Sequence, residues 1–390
     1  MTQLTIRDLP LKNKRVLMRV DFNVPIENGE ITDDSKIRAA LPTIEYAIQQ
    51  GACVILMSHL GRPKSKPSDE FSLTPCFKRL SELLQSPVSF ANDCVGKAVE
   101  GKVKELQRGQ VLLLENLRFH VGEEKPEQDP DFVKQLAALG DCYVNDAFGS
   151  AHRAHASTAW IAKQFPHLSA MGFLMEKEIA ALSPLVKNPV RPFFTIIGGS
   201  KISTKIGLIN NLLKHVDALF IGGAMAFTFF KAKGISVGTS LVEDPKTIDH
   251  LPMEKIYLPM DLVIADRFSN EARRKVIDVK QGIPDGWQGM DIGPKTITSW
   301  TQLLSKGRTI FWNGPVGVFE MPHFLEGTRA LAKYLSQCDA TTIIGGGDSV
   351  AAIQKMGLQD RFAHLSTGGG ASLEFLEFGH LPGIDALSQK

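Results

Sequence analysis

Residues 343–353 read IIGGGDSVAAI. Two β-branched residues, three glycines, and an aspartate opening an apolar helical period spell a strand, a tight turn and a helix. The unit recurs in both directions. Strands are read at Val16–Val20, Cys53–Met57, Val111–Leu114 and Tyr143–Val144 in the first half. They are read at Phe193–Ile197, Ala218–Ile221, Leu262–Ala265, Thr309–Trp312 and Thr342–Ile344 in the second. A helix is expected over Pro42–Gln50, with Pro at its start and Gly51 as its stop. Strand-helix alternation with unbroken apolar strands predicts buried parallel sheets of doubly wound type. Ligands of such sheets lie at the carboxyl ends of the strands.

The chain has 390 residues, enough for two domains. A helix read at Met175–Val186, with Pro189 and Pro192 beyond it, marks the boundary. The expected class is α/β: two doubly wound, Rossmann-like parallel-sheet domains joined by a hinge helix. The acidic, Pro-containing 123–131 (EEKPEQDPD) reads as a solvated loop.

Hydrophobic residues make up 43% and charged residues 22%, with a formal net charge of +2. No global basic field argues for nucleic acid. The five cysteines are odd in number and lack C-x-x-C spacing, so neither a disulfide framework nor a zinc site is expected, and a reducing cytoplasm is the expected setting. The opening MTQLTIRDL has no apolar core and is read as no signal peptide. The longest apolar stretch, Ala218–Phe230, is too short to span a bilayer.

The two halves end their strands differently. The second half has glycine runs with Lys or Asp: TIIGGSKISTK (195–205), FIGGAMAF (220–227), FWNGPVGVFE (311–320), IIGGGDS (343–349) and LSTGGGAS (365–372). Asp348 can be read as a plain N-cap. Alternatively, Gly345–Gly347 admit phosphate oxygens to a helix N-terminus, and Asp348 holds a Mg²⁺ brought by a nucleotide. Lys201 and Lys205, four apart, are read on one helical face, with Lys201 at the helix start, where a cation opposes the dipole. There is no G-x-x-x-x-G-K-[ST] and no G-x-G-x-x-G, which disfavours P-loop and dinucleotide-binding proteins.

The first half carries basic side chains at MRVDFNVP (18–25), LMSHLGRP (56–63), LLLENLRFH (112–120) and NDAFGSAHRAH (145–155). Arg19, His59, Arg62, Arg118, His152 and Arg153 are expected to converge on one sheet edge, where Arg recognises carboxylate and phosphate. Asp21 and Asn23 add partners for a hydroxyl.

RVDFNVP, SHLGRP, ENLRF, NDAFGSAHRAHAS, GGSKISTKI, FWNGPVGVFE, GGGDSVAA and STGGGASLEFL together resemble the motifs of the phosphoglycerate kinase family, in that family's order and over nearly the whole chain. The resemblance implies reversible phosphoryl transfer from 1,3-bisphosphoglycerate to ADP, giving 3-phosphoglycerate and ATP, with Mg²⁺ and after hinge closure of two domains. It places the glycerate in residues 1–172 together with a returning tail, 376–390. It makes 173–189 an interdomain helix and puts the nucleotide in 190–375. It implies Lys36, Lys201 and Arg19 as catalytic residues. Asp21, Asn23, Lys36, His59, Arg62, Arg118, His152 and Arg153 are implied for the acid. Gly199, Lys201, Lys205, Gly222, Gly223, Asn313, Pro315, Glu320, Gly346, Gly347, Asp348 and Ser349 are implied for the nucleotide. Amides of Gly347, Gly369 and Gly370 would face the transferring phosphate, and Asp348 would hold the metal. A departure is Lys36, which stands where the family has arginine; Arg38 could reach in instead. A cytoplasmic monomer without nucleic-acid or membrane partners is expected. The rival reading is a two-lobed anion-binding protein without catalysis; a nicotinamide-dependent dehydrogenase is disfavoured by the missing glycine fingerprint.

Overall fold

The computed structural model describes residues 3–390. The chain divides into two compact units, one running to Ala180 and including His380–Lys390, the other Ala181–Gly379.

The first unit contains β1 (Arg15–Arg19), a short hairpin of β2 (Ile26–Glu27) and β3 (Glu30–Ile31), α1 (Ser35–Gln49), β4 (Cys53–Met57) and α2 (Thr74–Leu83). It continues through β5 (Val88–Phe90), α3 (Lys97–Glu105), β6 (Val111–Leu113), α4 (Val121–Glu124), α5 (Pro130–Ala138), β7 (Cys142–Asn145) and β8 (Ser169–Met171). Helix α6 (Phe173–Lys187) follows. Six strands form one sheet in the order β5-β6-β4-β1-β7-β8, with parallel pairings throughout. Val16, Met18, Val54, Leu56 and Val144 are fully buried in its core with Ile37 and Ile44 of α1. From β1 the chain winds out through β4 to β5 and β6, then returns to the other side at β7. The order therefore reverses between β1 and β7, where a doubly wound sheet opens a crevice.

The second unit repeats the plan with β9 (Phe193–Ile197), α7 (Ile206–His215), β10 (Ala218–Ile221), α8 (Met225–Ala232) and β11 (Ile256–Tyr257). Then come β12 (Asp261–Ala265), β13 (Arg274–Asp278), β14 (Gln288–Ile292), α9 (Pro294–Leu304), β15 (Thr309–Asn313) and α10 (Glu326–Leu335). The unit closes with β16 (Thr341–Gly345), α11 (Gly347–Lys355), β17 (His364–Leu365) and α12 (Gly369–Phe378). Its parallel sheet has the order β11-β10-β9-β15-β16-β17, reversing between β9 and β15. All five residues of β9 and of β15 are buried, the signature of a strand covered on both faces. The tail contains α13 (Pro382–Asp385) in the first unit. There Gly383 N donates to Ala151 O at 2.8 Å, and Asn145 Nδ2 to Gly383 O at 3.0 Å. No helix among the described residues is long and apolar enough to cross a membrane.

Several local readings need correction. The helix expected from Pro42 begins at Ser35, whose N donates to Asp33 Oδ1 at 2.9 Å. Pro42 lies inside it. Leu262–Ala265 does not join the parallel series. It is the centre of a separate antiparallel sheet, β13-β12-β14. Residues 123–131 are not all solvated: Glu123 is fully buried in α4, and Asp129 caps α5.

Candidate active site

In the first unit, the ends of β1 and β7 lie level, with Arg19 paired to Asn145 and, across the other edge, to Met57. The loops leaving these three strands carry the basic residues together. Arg19 was expected to act directly. Its side chain is 1% exposed, and each of its three nitrogens faces protein. Nε donates to Ser157 Oγ at 2.8 Å, Nη1 to Val20 O, and Nη2 to His59 Nδ1 at 3.0 Å. As placed here, the Arg19 guanidinium is committed to protein partners and orients His59. A guanidinium has no acceptor, so His59 Nδ1 must accept and its proton must reside on Nε2. Burial and the neighbouring Arg19 charge push the His59 pKa well down, leaving a neutral ring with a fixed N–H donor.

The same logic fixes His152. Arg153 Nε donates to His152 Nε2 at 3.2 Å, so the His152 proton lies on Nδ1. His152 and Arg153 are half-buried, while Arg62 is exposed. Arg118 Nη1 donates to Gly61 O at 2.8 Å, and its Nε lies 3.3 Å from Glu124 Oε1. Asn23 Oδ1 accepts from Gly61 N at 2.9 Å, tying the 21–25 and 58–63 loops together. Asp21 bridges outward: Oδ1 accepts from Asn23 N and Oδ2 from Lys36 Nζ, both at 3.0 Å. Arg38 turns away, pairing with Asp34 one helical turn back.

Beneath this set lies a residue that the sequence reading passed over. Glu123 Oε2 accepts from Ser157 N at 3.0 Å, and Oε1 accepts from Ser157 Oγ at 2.7 Å. Oε1 is also 3.9 Å from Arg19 Nη2 and 3.8 Å from His155 Nδ1. His155 is held neutral by burial and the surrounding arginines, its pKa lowered to about 3. Asn116, also missed, donates from Nδ2 to Leu60 O at 2.7 Å and Phe71 O at 2.9 Å. The acidic residues near 123 gave no sign of burial in a composition reading. The only cue was the serine-containing run after Arg153, now seen to hold Glu123.

In the second unit, Asn313 is level with Ile197 on one side and Gly345 on the other. The turns leaving β9 and β15 pack backbone to backbone. Gly314 has φ +91° and a Cβ there would fall 2.2 Å from Gly198 O, so only glycine fits. Lys205 lies across the junction, donating from Nζ to Gly198 O and Asn313 Oδ1, both at 2.7 Å. Two of its three N–H donors are used, and one is left for a ligand. Burial lowers the Lys205 pKa to about 8, partly offset by Asp348. Lys201 is exposed in the loop before α7, which begins only at Ile206. The expectation that Lys201 and Lys205 share a helical face is corrected: the loop is drawn out by Glu243, which accepts from Ser203 N at 2.9 Å.

The three glycines at 345–347 do different things. A Cβ at Gly345 would meet the Phe311 ring, and one at Gly346 (φ +85°) the Asn313 amide; Gly347 faces open space. The N-termini of α11 and α12 converge, since a Cβ on Gly369 would lie 3.0 Å from Gly347 N. Two positive dipole ends side by side, next to a buried ammonium, form an anion site. Gly370 follows in the first turn of α12. Ser349 is buried and its Oγ accepts from Gly314 N at 2.6 Å, holding the Pro315 loop onto α11.

A cleft of about 360 Å³ opens beside this anion site. Gly199, Gly223, Pro315, Glu320 and Asp348 line it together with Phe227, Leu241, Leu262, Phe268 and Val316. Gly222 backs it, close against Val316. An apolar slot ending in backbone amides suits a flat base joined to phosphates. Asp348, at the second position of α11, is exposed and borders the cleft, and Glu320 is exposed in its lining. A single free carboxylate beside a phosphate site fits Mg²⁺, which draws its other ligands from phosphate and water.

Comparison with known proteins points one way. Residues 6–379 match the family described as PGK, phosphoglycerate kinase. The protein named phosphoglycerate kinase from Thermosipho africanus is 54% identical, covering 100% of this chain and 99% of that relative. Its namesake from Roseiflexus castenholzii is also 54% identical, covering 100% of both chains. Among solved structures, phosphoglycerate kinase from Coxiella burnetii superposes with a TM-score of 0.87 at 42% identity over 98% of each chain. That from Pyrococcus horikoshii gives 0.85 at 34% identity over 98% of each chain.

Proposed function

Because the chain belongs to the phosphoglycerate kinase family, we propose that its first unit holds the phosphorylated acid and its second the adenine nucleotide. The reaction is reversible phosphoryl transfer between 1,3-bisphosphoglycerate with ADP and 3-phosphoglycerate with ATP. The observation that carries the division is the contrast between the two switch points. One presents guanidinium and imidazole groups with fixed protons; the other presents converging helix N-termini.

In the first unit, the Nε2–H of His59 and the guanidinium groups of Arg153 and Arg62 take a phosphate. Asp21 and Asn23 take the hydroxyl. Arg118 and His152 belong to the same basic set around the phosphate, and Lys36 faces the acid end. In the second unit, Phe227, Leu241 and Val316 hold the base, and Glu320 accepts from the ribose. Lys205 and the amides of Gly347, Gly369 and Gly370 hold phosphate oxygens. When bound, Mg²⁺ neutralises nucleotide phosphate oxygens, with Asp348 as its protein ligand. The acceptor is already an anion, so no general base is needed. Catalysis rests on positioning and on charge stabilisation of the equatorial oxygens, for which the exposed ammonium of Lys201 is free.

The direct test follows ADP formation from ATP and 3-phosphoglycerate. Wild type turns over with Mg²⁺ and stops with EDTA, and Asp348→Asn needs more Mg²⁺ to reach half its rate. A folded wild type that forms no ADP contradicts the assignment.

Lys205 gives this reading a pH signature. With the cleft empty its pKa is about 8, and a bound phosphate raises it. Below that value the group is already charged and binding takes up no proton. Above it, each ADP bound takes up a proton, so affinity falls by up to about tenfold per pH unit. Calorimetry in buffers of different ionisation enthalpy reads this uptake, and Lys205→Met abolishes it. Lys36 and Arg38 separate in the same spirit. Lys36→Ala lowers kcat by about 10²-fold or more, the scale of losing one transition-state charge contact. Arg38→Ala leaves kcat nearly unchanged, since Arg38 is committed to Asp34. Steady-state kinetics in which Lys36→Ala is the silent variant and Arg38→Ala the impaired one would reverse the assignment.

A further inference from the structure

Three donors of unlike chemistry meet at the far end of the first sheet, away from the β1/β7 switch point. Asp93 and Cys94 lie just beyond the carboxyl end of β5, the edge strand. His120 is the residue before α4. One carboxylate oxygen, the Cys94 thiol and a His120 ring nitrogen all lie within 4.8 Å of one another. Asp93 Oδ1 is 2.6 Å from His120 Nε2 and accepts from Cys94 N at 2.7 Å. The His120 ring is stacked on Phe132, with centroids 4.9 Å apart, so its direction is set. Asp93 is exposed, His120 is half-exposed and Cys94 is buried, giving a site open on one side.

We propose that Asp93, Cys94 and His120 bind a divalent transition ion of the Zn²⁺ class. One sulfur, one nitrogen and one oxygen suit a borderline-soft ion in a four-coordinate site, with water as the fourth ligand. The same set is wrong for Mg²⁺ or Ca²⁺, which take oxygen ligands. Around Zn²⁺, with bonds of about 2.0–2.3 Å, tetrahedral ligand atoms stand roughly 3.3–3.8 Å apart. The pair at 2.6 Å must open and the others close by about 1 Å or less, within reach of an exposed Asp93 side chain. On binding, the thiol proton passes to solvent and the neutral His120 ring carries its one N–H on Nδ1, so that Nε2, the Asp93 carboxylate and the Cys94 thiolate face the ion. Nothing is oxidised or reduced. The ion joins the loop after β5 to the start of α4, whose Glu123 and Glu124 hold Ser157 and Arg118. It thereby stiffens the support beneath the acid-binding residues.

The test uses full-length protein stripped of metal and free of nucleotide. Zn²⁺ is titrated against a chromophoric chelator, and Co²⁺ is used as a spectroscopic stand-in. Wild type is expected to take one tight equivalent and to give a thiolate-to-cobalt charge-transfer band. Cys94→Ser loses the band, and His120→Asn and Asp93→Asn weaken Zn²⁺ binding by about 10–100-fold or more, the range already seen for partners outside the ligand shell. Zn²⁺ raises the thermal midpoint of wild type and leaves that of His120→Asn unmoved. His120 is partly exposed, so its variant keeps the test decisive if Cys94→Ser folds poorly. Absence of a tight equivalent overturns the proposal. So does a charge-transfer band that survives in Cys94→Ser, or Zn²⁺ affinity unchanged in His120→Asn, because the ion then sits elsewhere.

Discussion

Lys201→Ala is expected to lower kcat by about 10²–10³-fold while leaving the KM for ATP within a small factor, because a charge aimed at the transferring group acts mainly in the transition state. The geometry explains why Lys201 rather than Lys205 carries this expectation. Lys205 is fixed by Gly198 O and Asn313 Oδ1, and in the proposed reading it serves ground-state phosphate binding. Lys201 is exposed on a loop anchored through Ser203 to Glu243, with its ammonium uncommitted. Arginine at 201 would restore charge but not shape, so partial rescue by Lys201→Arg is expected. Equal rises in KM and no fall in kcat would mark Lys201 as a simple binding group.

Glu123→Ala carries the largest expected cost in stability. Glu123 is fully buried, and its carboxylate is the counter-charge to an Arg19 that is 1% exposed. Removing one member of a buried pair leaves the other charge uncompensated, typically a loss of about 3–5 kcal/mol. Ser157 loses its acceptor as well, and Arg19 then loses the partner that orients it toward His59. A sharply lower thermal midpoint is expected, and in the surviving folded fraction a raised KM for 3-phosphoglycerate with ADP binding unaffected. Glu123→Gln keeps the shape and the Ser157 contacts but not the charge, and falls between. A Glu123→Ala protein as stable as wild type would mean that Arg19 is neutralised elsewhere.

Much of this was legible in the sequence because it depends on neighbours along the chain. Glycine runs directly after apolar strands could only be turns, and Gly314 and Gly369 do stand where backbones nearly touch. The parallel strands followed from apolar runs bounded by turn residues. What failed depends on partners distant in sequence. Glu123 lies in an acidic run with Pro, which composition assigns to solvent; its burial is decided by Ser157 and by Arg19, more than a hundred residues away. Leu262–Ala265 has the same apolar run as a parallel strand, and only its pairing with Arg274–Asp278 and Gln288–Ile292 makes it antiparallel. Pro42 looked like a helix start because proline favours that position, yet the helix had already opened at Ser35 and Pro42 lies inside it. Arg19 was grouped with exposed arginines because nothing local distinguishes a buried guanidinium from a free one.

The claim on which the rest depends is that acid and nucleotide are held by different side chains in different units. Equilibrium binding of each ligand alone to two variants tests it. Arg153→Ala is expected to lose 3-phosphoglycerate affinity and keep that for ADP, whereas Lys205→Ala is expected to lose ADP affinity and keep that for 3-phosphoglycerate. If either variant loses both ligands, or if Arg153→Ala weakens ADP alone, the assignment of one ligand to each unit is wrong.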